Sequence, residues 1–235
     1  MGIVIAIDGP AGSGKSTVAK QVARELDLAY LDTGAMYRAG AWWAHHEGLE
    51  LDDQVAVAAA VRAMPLAMPL DPDAQQIRCG GVDITAAIRE SALSKVVSKV
   101  AVNLEVRAEL VRRQQEIVTI ERDGAAGAYA GGRGIVAEGR DITTVVAPDA
   151  PVRVLLTASE EARLARRALE KQGSASAAAI AATKDEVLRR DAQDSTVVNF
   201  TTAASGVTTI DSSDLTIEQV VAAVVRLAKE ASDGK

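Results

Sequence analysis

The chain has 235 residues, a formal net charge of −6 and 48% hydrophobic residues. This length suffices for a hydrophobic core without disulfides. The acidic balance argues against a protein whose main role is to coat nucleic acid or an anionic membrane. Cys79 is the only cysteine, which excludes an internal disulfide and a cysteine-rich metal site. No apolar run reaches the ~20 residues of a membrane span, and the first apolar stretch lacks a basic leader, so we expect a cytoplasmic protein.

The N-terminal segment predicts strands and helices in alternation. Ile3–Ile7 is a short, β-branched apolar run, typical of a strand buried on both faces of a parallel sheet. Apolar residues recur at helical spacing over 15–26. A second strand is expected at 28–31 and a second helix over 35–47. This order predicts an α/β fold of three layers around a central parallel sheet.

The middle of the chain has a different composition. Prolines and glycines are frequent between Met64 and Thr85, so we expect a small β-rich subdomain inserted at about 61–91. A long helical pattern over 90–122 follows, interrupted near Asn103. The sequence between 124 and 134 is rich in glycine and alanine and predicts a loop.

Later elements complete a single domain. Strands are expected at 135–137, 152–156 and 207–210, and Ser159 is placed to cap a helix. The small residues over 173–178 predict an interruption of the helical pattern. Helices are expected after it over 184–194 and 216–229. The expected organisation is a core of about 1–60, 92–158 and 195–235, with a separate helical segment at about 159–194.

A glycine-rich loop directly follows the first strand. It fits the pattern G-x-x-x-x-G-K-[S/T] and has the sequence Gly9-Pro10-Ala11-Gly12-Ser13-Gly14-Lys15-Ser16, followed by Thr17. Small residues let backbone N–H groups converge on a phosphate, and the next helix adds its positive end. Lys15 supplies a mobile charge, and the Ser16 hydroxyl can join a Mg²⁺ shell. The loop therefore predicts nucleotide phosphate binding.

Glycine-rich loops of this pattern are called P-loops, and two other classes of P-loop protein fit this sequence less well than a small kinase does. A GTPase needs an Asp at the end of its guanine-reading segment, whereas the nearest run, Thr183-Lys184-Asp185-Glu186, ends in Glu. A large ATPase would use an acid such as Glu138 for its metal, but the chain leaves little room for motor machinery. Arginines after the loop favour a small-molecule kinase, which must neutralise two anionic substrates. They are Arg38, Arg107, Arg140, Arg163, Arg166, Arg167 and Arg190.

Several longer motifs resemble those of bacterial cytidylate kinases. Asp32-Thr33-Gly34-Ala35-Met36-Tyr37-Arg38 is similar to that family's [ST]-G-x-x-Y-R segment. Glu138-Gly139-Arg140-Asp141-Ile142 is similar to its [DE]-G-R-D-I segment. Ser98 to Ala101 with Val106-Arg107, and Arg190-Asp191 with Asp194, resemble two further segments. The matched segments run from about residue 3 to 229, nearly the whole chain.

This resemblance implies transfer of the ATP γ-phosphoryl group to CMP or dCMP. Ser98, Arg107 and Asp141 would then read cytosine, whose amine suits a carboxylate and whose N3 and O2 suit an arginine. Lys15, Arg140, Arg166 and Arg190 would act on the transferred phosphoryl group. Acceptors such as UMP, or a nucleotide switch without a soluble acceptor, remain alternatives.

The resemblance also distributes the other residues of the site. Arg38 and Arg140 would hold the acceptor phosphate beside Thr33 and Tyr37. Arg190 and Asp194 would face the sugar, and Arg163, Arg166 and Arg167 would lie on a lid over ATP. Mg²⁺ would bridge the nucleotide phosphates with Ser16 as its protein contact. The expected partners are small nucleotides, with neither nucleic acid nor membrane, and the protein is expected to be a monomer.

Two positions depart from the family pattern. Val197 stands where the family usually has an arginine that contacts the acceptor phosphate, and the segment 198–206 departs from the usual A-P-L run. Thr143 stands where the family usually has glycine. Threonine is strained there if the backbone φ is positive and harmless if the position is helical.

The departure at Val197 generates a first prediction. Replacing Val197 by Arg should tighten CMP binding, because it restores a charged donor where the family contacts the acceptor phosphate. Equilibrium titration of CMP into both proteins measures the change. Unchanged or weaker binding in the variant would show that no phosphate contact is missing from the natural chain.

Overall fold

The computed structural model describes residues 1–74 and 76–233, and the side chains of Lys95, Lys171, Glu186 and Arg190 lie outside that description. The strands in chain order are β1 (Ile3–Asp8), β2 (Ala29–Asp32), β3 (Leu66–Ala67), β4 (Arg78–Cys79), β5 (Val82–Asp83), β6 (Gly134–Gly139), β7 (Val152–Thr157) and β8 (Thr208–Asp211). The helices are α1 (Lys15–Glu25), α2 (Thr33–His46), α3 (Gln54–Ala63), α4 (Ser91–Ala101), α5 (Leu104–Asp123), α6 (Glu160–Gln172), α7 (Ala177–Asp194) and α8 (Ile217–Asp233).

A five-stranded parallel sheet forms the centre of the fold. Its strand order is β2-β6-β1-β7-β8. Along β1, Val4 and Ala6 belong to one hydrophobic cluster, whereas Ile5 and Ile7 belong to a second cluster on the other face. Side chains alternate across a strand, so burial of both faces accounts for the continuous apolar run.

Helices cover both faces and complete three layers. Helices α1 and α8 contribute Val18 and Val224 to the cluster that contains Ile5 and Ile7. Helices α2 to α5 contribute apolar side chains to the opposite cluster, among them Met36 and Leu110. The predicted α/β fold is thereby confirmed. No helix within residues 1–74 and 76–233 has the length and apolarity needed to cross a bilayer.

The predicted interruption near Asn103 and the predicted cap at Ser159 are confirmed. The Asn103 side chain accepts hydrogen bonds from the backbone N–H groups of Glu105 and Val106, at 3.0 and 3.3 Å, and so starts α5. The Ser159 hydroxyl accepts from the N–H of Ala162 at 3.2 Å and starts α6. Both caps satisfy N–H groups that a helix start leaves unpaired.

Two helices differ from the prediction. Helix α3 was not predicted, although the Asp53 side chain caps it by accepting from the N–H of Ala56 at 3.0 Å. The predicted break over 173–178 is too long, since α7 begins at Ala177 rather than near Lys184. Alanine has the highest intrinsic helix propensity, so the alanines after Ser176 extend the helix backwards.

The proline-rich middle forms the predicted small sheet. Strands β3, β4 and β5 pair antiparallel. Arg113 of α5 holds this region to the core by donating to the carbonyl groups of Val61, Arg62 and Met64 at 2.9 to 3.1 Å. The inserted sheet is therefore attached to the helices that border the site.

Candidate active site

One large cavity, of about 860 Å³, lies beyond the carboxyl ends of β1, β2 and β6. Parallel α/β sheets commonly bind their ligands at this edge. The residues that line it come from the glycine-rich loop, the start of α2, helices α4 to α7 and the loop before α8. Segments far apart in sequence thus meet in a single chamber.

The glycine-rich loop turns sharply from β1 into α1. Gly12 and Gly14 have φ angles of 77° and 89°, which only glycine adopts without strain. A Cβ atom at Gly12 would also lie 2.5 Å from the carbonyl oxygen of Arg163, so α6 packs directly on the loop. Lys15 is the first residue of α1, and its Nζ lies 3.4 Å from the carbonyl oxygen of Pro10.

Glu138 is a buried carboxylate on β6 beside this loop. It accepts hydrogen bonds from the Ser16 hydroxyl at 2.6 Å and from the Tyr30 hydroxyl at 3.2 Å. Burial raises the pKa of Glu138, while Lys15 and the two hydroxyl groups act in the opposite direction. The carboxylate thereby fixes the orientation of the Ser16 hydroxyl at the mouth of the loop.

Asp8, at the end of β1, holds the turn that follows β6. Its carboxylate accepts from the backbone N–H groups of Ile142 and Thr143, both at 2.9 Å, and from the Thr143 hydroxyl at 2.6 Å. Thr143 lies in a π-helical turn, Ile142–Val146, and does not have a positive φ. Threonine is therefore unstrained at this departure from the family pattern, and its hydroxyl gives Asp8 a further donor.

Asp141 and Arg107 form a buried ion pair on the cavity wall. The Nη2 atom of Arg107 donates to the Asp141 carboxylate. Burial raises the pKa of Asp141, and the adjacent guanidinium opposes that rise. The guanidinium carbon of Arg107 lies 5.6 Å from the ring centroid of Tyr37, whose pKa is raised by burial. A carboxylate and an arginine fork therefore lie side by side in the chamber.

Asp191 joins the glycine-rich loop to two arginines. Its carboxylate accepts from Arg140 Nη2 at 2.8 Å, from Arg163 Nη1 at 2.5 Å and from the backbone N–H of Ala11 at 3.2 Å. Arg140 Nε also donates to Asp194 at 3.0 Å. These pairs tie α7 and α6 to the end of β6.

The remaining predicted residues occupy both sides of the cavity. Arg166 donates to Ser212 and to the carbonyl of Ser13, which joins α6 to the glycine-rich loop and to the segment after β8. Arg38 donates to the carbonyl of Ile88 and to the Ser94 hydroxyl, at 3.1 and 2.8 Å. The Thr33 hydroxyl donates to the carbonyl of Glu138 at 2.8 Å.

Most predicted site residues therefore line one cavity. Those that do are Ala11, Gly12, Ser13, Gly14, Lys15, Ser16, Thr17, Thr33, Tyr37, Arg38, Arg107, Arg140, Asp141, Arg166 and Asp194. Gly9, Pro10, Arg163 and Ser98 are not among the lining residues, and the first three belong to or contact the glycine-rich loop. Ser98 is buried on α4. The Arg190 side chain lies outside the described residues.

Sequence reasoning missed several lining or supporting groups. The motif that contains Asp191 does not indicate its contacts, and no motif contains Ser212. Leu169, Leu215 and Ile217 line the cavity and are 57%, 37% and 42% exposed. Exposed apolar side chains at a cavity mark a ligand surface, but a sequence does not show exposure. Among the described residues, no cluster of three or more His, Cys, Asp or Glu is arranged to hold a metal ion.

The contact between Thr143 and Asp8 generates a prediction about pH. Thr143→Val keeps the branched shape but removes one donor from a buried carboxylate, so we expect a loss of ~1–3 kcal/mol in the free energy of unfolding at pH 8. Burial raises the pKa of Asp8 above 3.8, and loss of the hydroxyl raises it further. A carboxyl group with a raised folded-state pKa loses folding stability as the pH rises from its unfolded to its folded pKa.

The deficit of the Thr143→Val variant is therefore larger at pH 8 than at pH 4. Urea denaturation at the two pH values measures it. Thr144→Val changes an exposed neighbour in the same way and serves as the matched control. Equal deficits at both pH values, or equal effects of the two substitutions, would contradict the assignment.

Comparisons with known proteins agree with this geometry. The sequence model of the family described as "Cytidylate kinase" matches residues 5–230. Proteins named cytidylate kinase are 41% identical over 229 residues in Streptomyces avermitilis, 42% over 234 in Streptomyces coelicolor and 41% over 234 in Nocardia farcinica. The alignments cover 97%, 99% and 99% of this chain, and 93%, 95% and 96% of those proteins. The chain belongs to the cytidylate kinase family.

Proposed function

We propose that the protein transfers the γ-phosphoryl group of MgATP to CMP or dCMP, which yields ADP and CDP or dCDP. The observation that carries this proposal is the buried pair of Asp141 and Arg107 in the same cavity as the glycine-rich loop. Family membership supports the phosphotransferase class.

ATP would bind on the side of the glycine-rich loop. The backbone N–H groups at the start of α1 and the charge of Lys15 suit the β- and γ-phosphates. Arg166 is already held beside the carbonyl of Ser13, where it can neutralise phosphate charge. The apolar side chains of Leu169, Leu215 and Ile217 offer the adenine a hydrophobic surface.

The donor groups in this region fit Mg²⁺. The hydroxyl oxygen of Ser16 and Oε1 of the buried Glu138 are hard oxygen ligands that lie 2.6 Å apart. Both are next to the loop that would hold the phosphates. Mg²⁺ prefers oxygen ligands and keeps several waters, so few protein ligands suffice. Ser16 would hold the ion, with Glu138 orienting that hydroxyl. When bound, the ion supplies charge neutralisation between the β- and γ-phosphates.

Cytosine would be read by Asp141 and Arg107. The exocyclic amine of cytosine donates to a carboxylate, whereas its N3 and O2 accept from a guanidinium. Uracil reverses the donor and acceptor at the corresponding edge positions, so it would leave Asp141 facing a carbonyl oxygen. A buried polar group left unpaired strongly disfavours the wrong ligand. The role of Ser98 in reading the base stays a prediction.

The acceptor phosphate would be held by Arg38 and Arg140 beside Thr33. Both arginines line the cavity. Asp194, with Arg190, would face the sugar. Tyr37 packs next to Arg107 and would border the base.

Catalysis would rest on orientation and charge neutralisation. The transition state of phosphoryl transfer is loose, so little help from a general base is needed. The charge on the equatorial and bridging oxygens of the transferred phosphoryl group would be neutralised by Lys15, Arg140, Arg166 and Arg190.

We propose that α6 and α7 act as a lid over this site, because exclusion of water prevents wasteful ATP hydrolysis. The small sheet within 61–91 would border the acceptor. A monomeric, cytoplasmic protein stays a prediction.

A coupled assay of ADP release tests the proposal. MgATP is offered with CMP, dCMP, UMP, AMP or GMP to the natural protein and to Asp141→Ala. We expect strong stimulation by CMP and dCMP only, with a loss of at least ~100-fold in kcat/KM for both in the variant, since a buried arginine is left unpaired.

Asp149→Ala is the matched control, because Asp149 is an exposed aspartate near the same turn. It should leave the rates unchanged. Stimulation by UMP or AMP instead would keep the kinase class and overturn the cytosine assignment. Absence of stimulation by every monophosphate would favour a nucleotide switch.

A further inference from the structure

The segment that departs from the family pattern contains the only phenylalanine in the chain, Phe200. Its ring is 1% exposed, and its centroid lies 4.2 Å from the guanidinium carbon of Arg140. This distance is within the range of a cation–π contact, and burial strengthens such contacts. The segment that follows Val197, where the family has an arginine, therefore places an aromatic ring on Arg140.

Phe200 contacts the guanidinium of Arg140 through its ring, whereas the other partners of Arg140 accept hydrogen bonds from it. Asp191 and Asp194 engage the Nη2 and Nε donors of Arg140, at 2.8 and 3.0 Å. An aromatic ring contacts the cation without accepting those in-plane N–H bonds. The Nη1 atom of Arg140 is buried and has no hydrogen-bond partner among the described residues. One donor of Arg140 is therefore unsatisfied within the described part of the chain.

We infer that Phe200 is a positioning residue that fixes the plane of Arg140 for the acceptor phosphate. This inference rests on the proposed function, in which Arg140 holds that phosphate. A guanidinium binds phosphate well only when its fork is correctly oriented, and a long side chain loses rotamer freedom on binding. A ring that already restricts Arg140 lowers this entropic penalty. The ring beside Arg140 would thus partly offset the phosphate contact that Val197 does not provide.

A double-mutant cycle tests the inference. Phe200→Leu keeps a large apolar side chain but removes the ring, and Arg140→Gln removes the cation that the ring contacts. We expect Phe200→Leu to raise the KM for CMP about fivefold, because binding must then restrict an Arg140 side chain that the ring no longer holds. The KM for ATP should change less than about twofold. In the Arg140→Gln background, the same substitution should have little further effect on the KM for CMP.

Further variants separate positioning from simple packing. Phe200→Tyr retains the ring and should keep the KM for CMP close to that of the natural protein. Val187→Ala truncates a buried side chain of α7 and should leave the ratio of the two KM values unchanged. If Phe200→Leu does not fold, Phe200→Met replaces it in the cycle. A rise of equal size in both Arg140 backgrounds, or for both substrates, would overturn the inference.

The thermal unfolding of the four proteins of the cycle gives a readout that needs no substrate. Coupling between Phe200 and Arg140 in unfolding is expected whichever acceptor the protein uses. If no monophosphate is phosphorylated, the proposed function fails while this coupling remains measurable. Coupling indistinguishable from zero would overturn the contact itself, and with it the inference.

Discussion

The need to pair buried carboxylates governs the active-site end of this fold. Asp8, Glu138 and Asp141 are each less than 5% exposed and lie at or just after the carboxyl ends of β1 and β6. An unpaired buried charge is strongly unfavourable, so each carboxylate needs its own donors. Asp8 recruits the turn after β6, Glu138 recruits Ser16 and Asp141 recruits Arg107. The strand ends, the glycine-rich loop and the pair of Asp141 and Arg107 are thereby fixed relative to one another.

The arginines of the site are in turn paired with carboxylates. Arg140 and Arg163 share the carboxylate of Asp191, which also accepts from the backbone of the glycine-rich loop. These groups lie where the proposed function requires phosphate binding, so the phosphates would have to compete with Asp191 for the two arginines. Because Phe200 contacts Arg140 without using its in-plane donors, the ring supports the cation in either state.

Local patterns in the sequence predicted most of the fold and the family. The strand before the glycine-rich loop is apolar because both faces are buried, and the caps at Asn103 and Ser159 are local signals. The comparisons confirm the predicted family. The contacts of Asp191 could not be predicted, because its partner Ala11 lies 180 residues away in the chain. The sequence alone does not tell whether Thr143 is strained, because the sign of its φ depends on the π-helical turn that the structure shows.

In the proposed function, a buried carboxylate paired with an arginine selects the base of the acceptor. Calorimetric titration of CMP and of UMP into the natural protein, without ATP, measures this selection. A correctly paired base edge contributes ~1–3 kcal/mol of discrimination, so CMP should bind at least about fivefold more tightly than UMP. Equal affinities for the two nucleotides would contradict the account, because the pair of Asp141 and Arg107 would then not distinguish their bases.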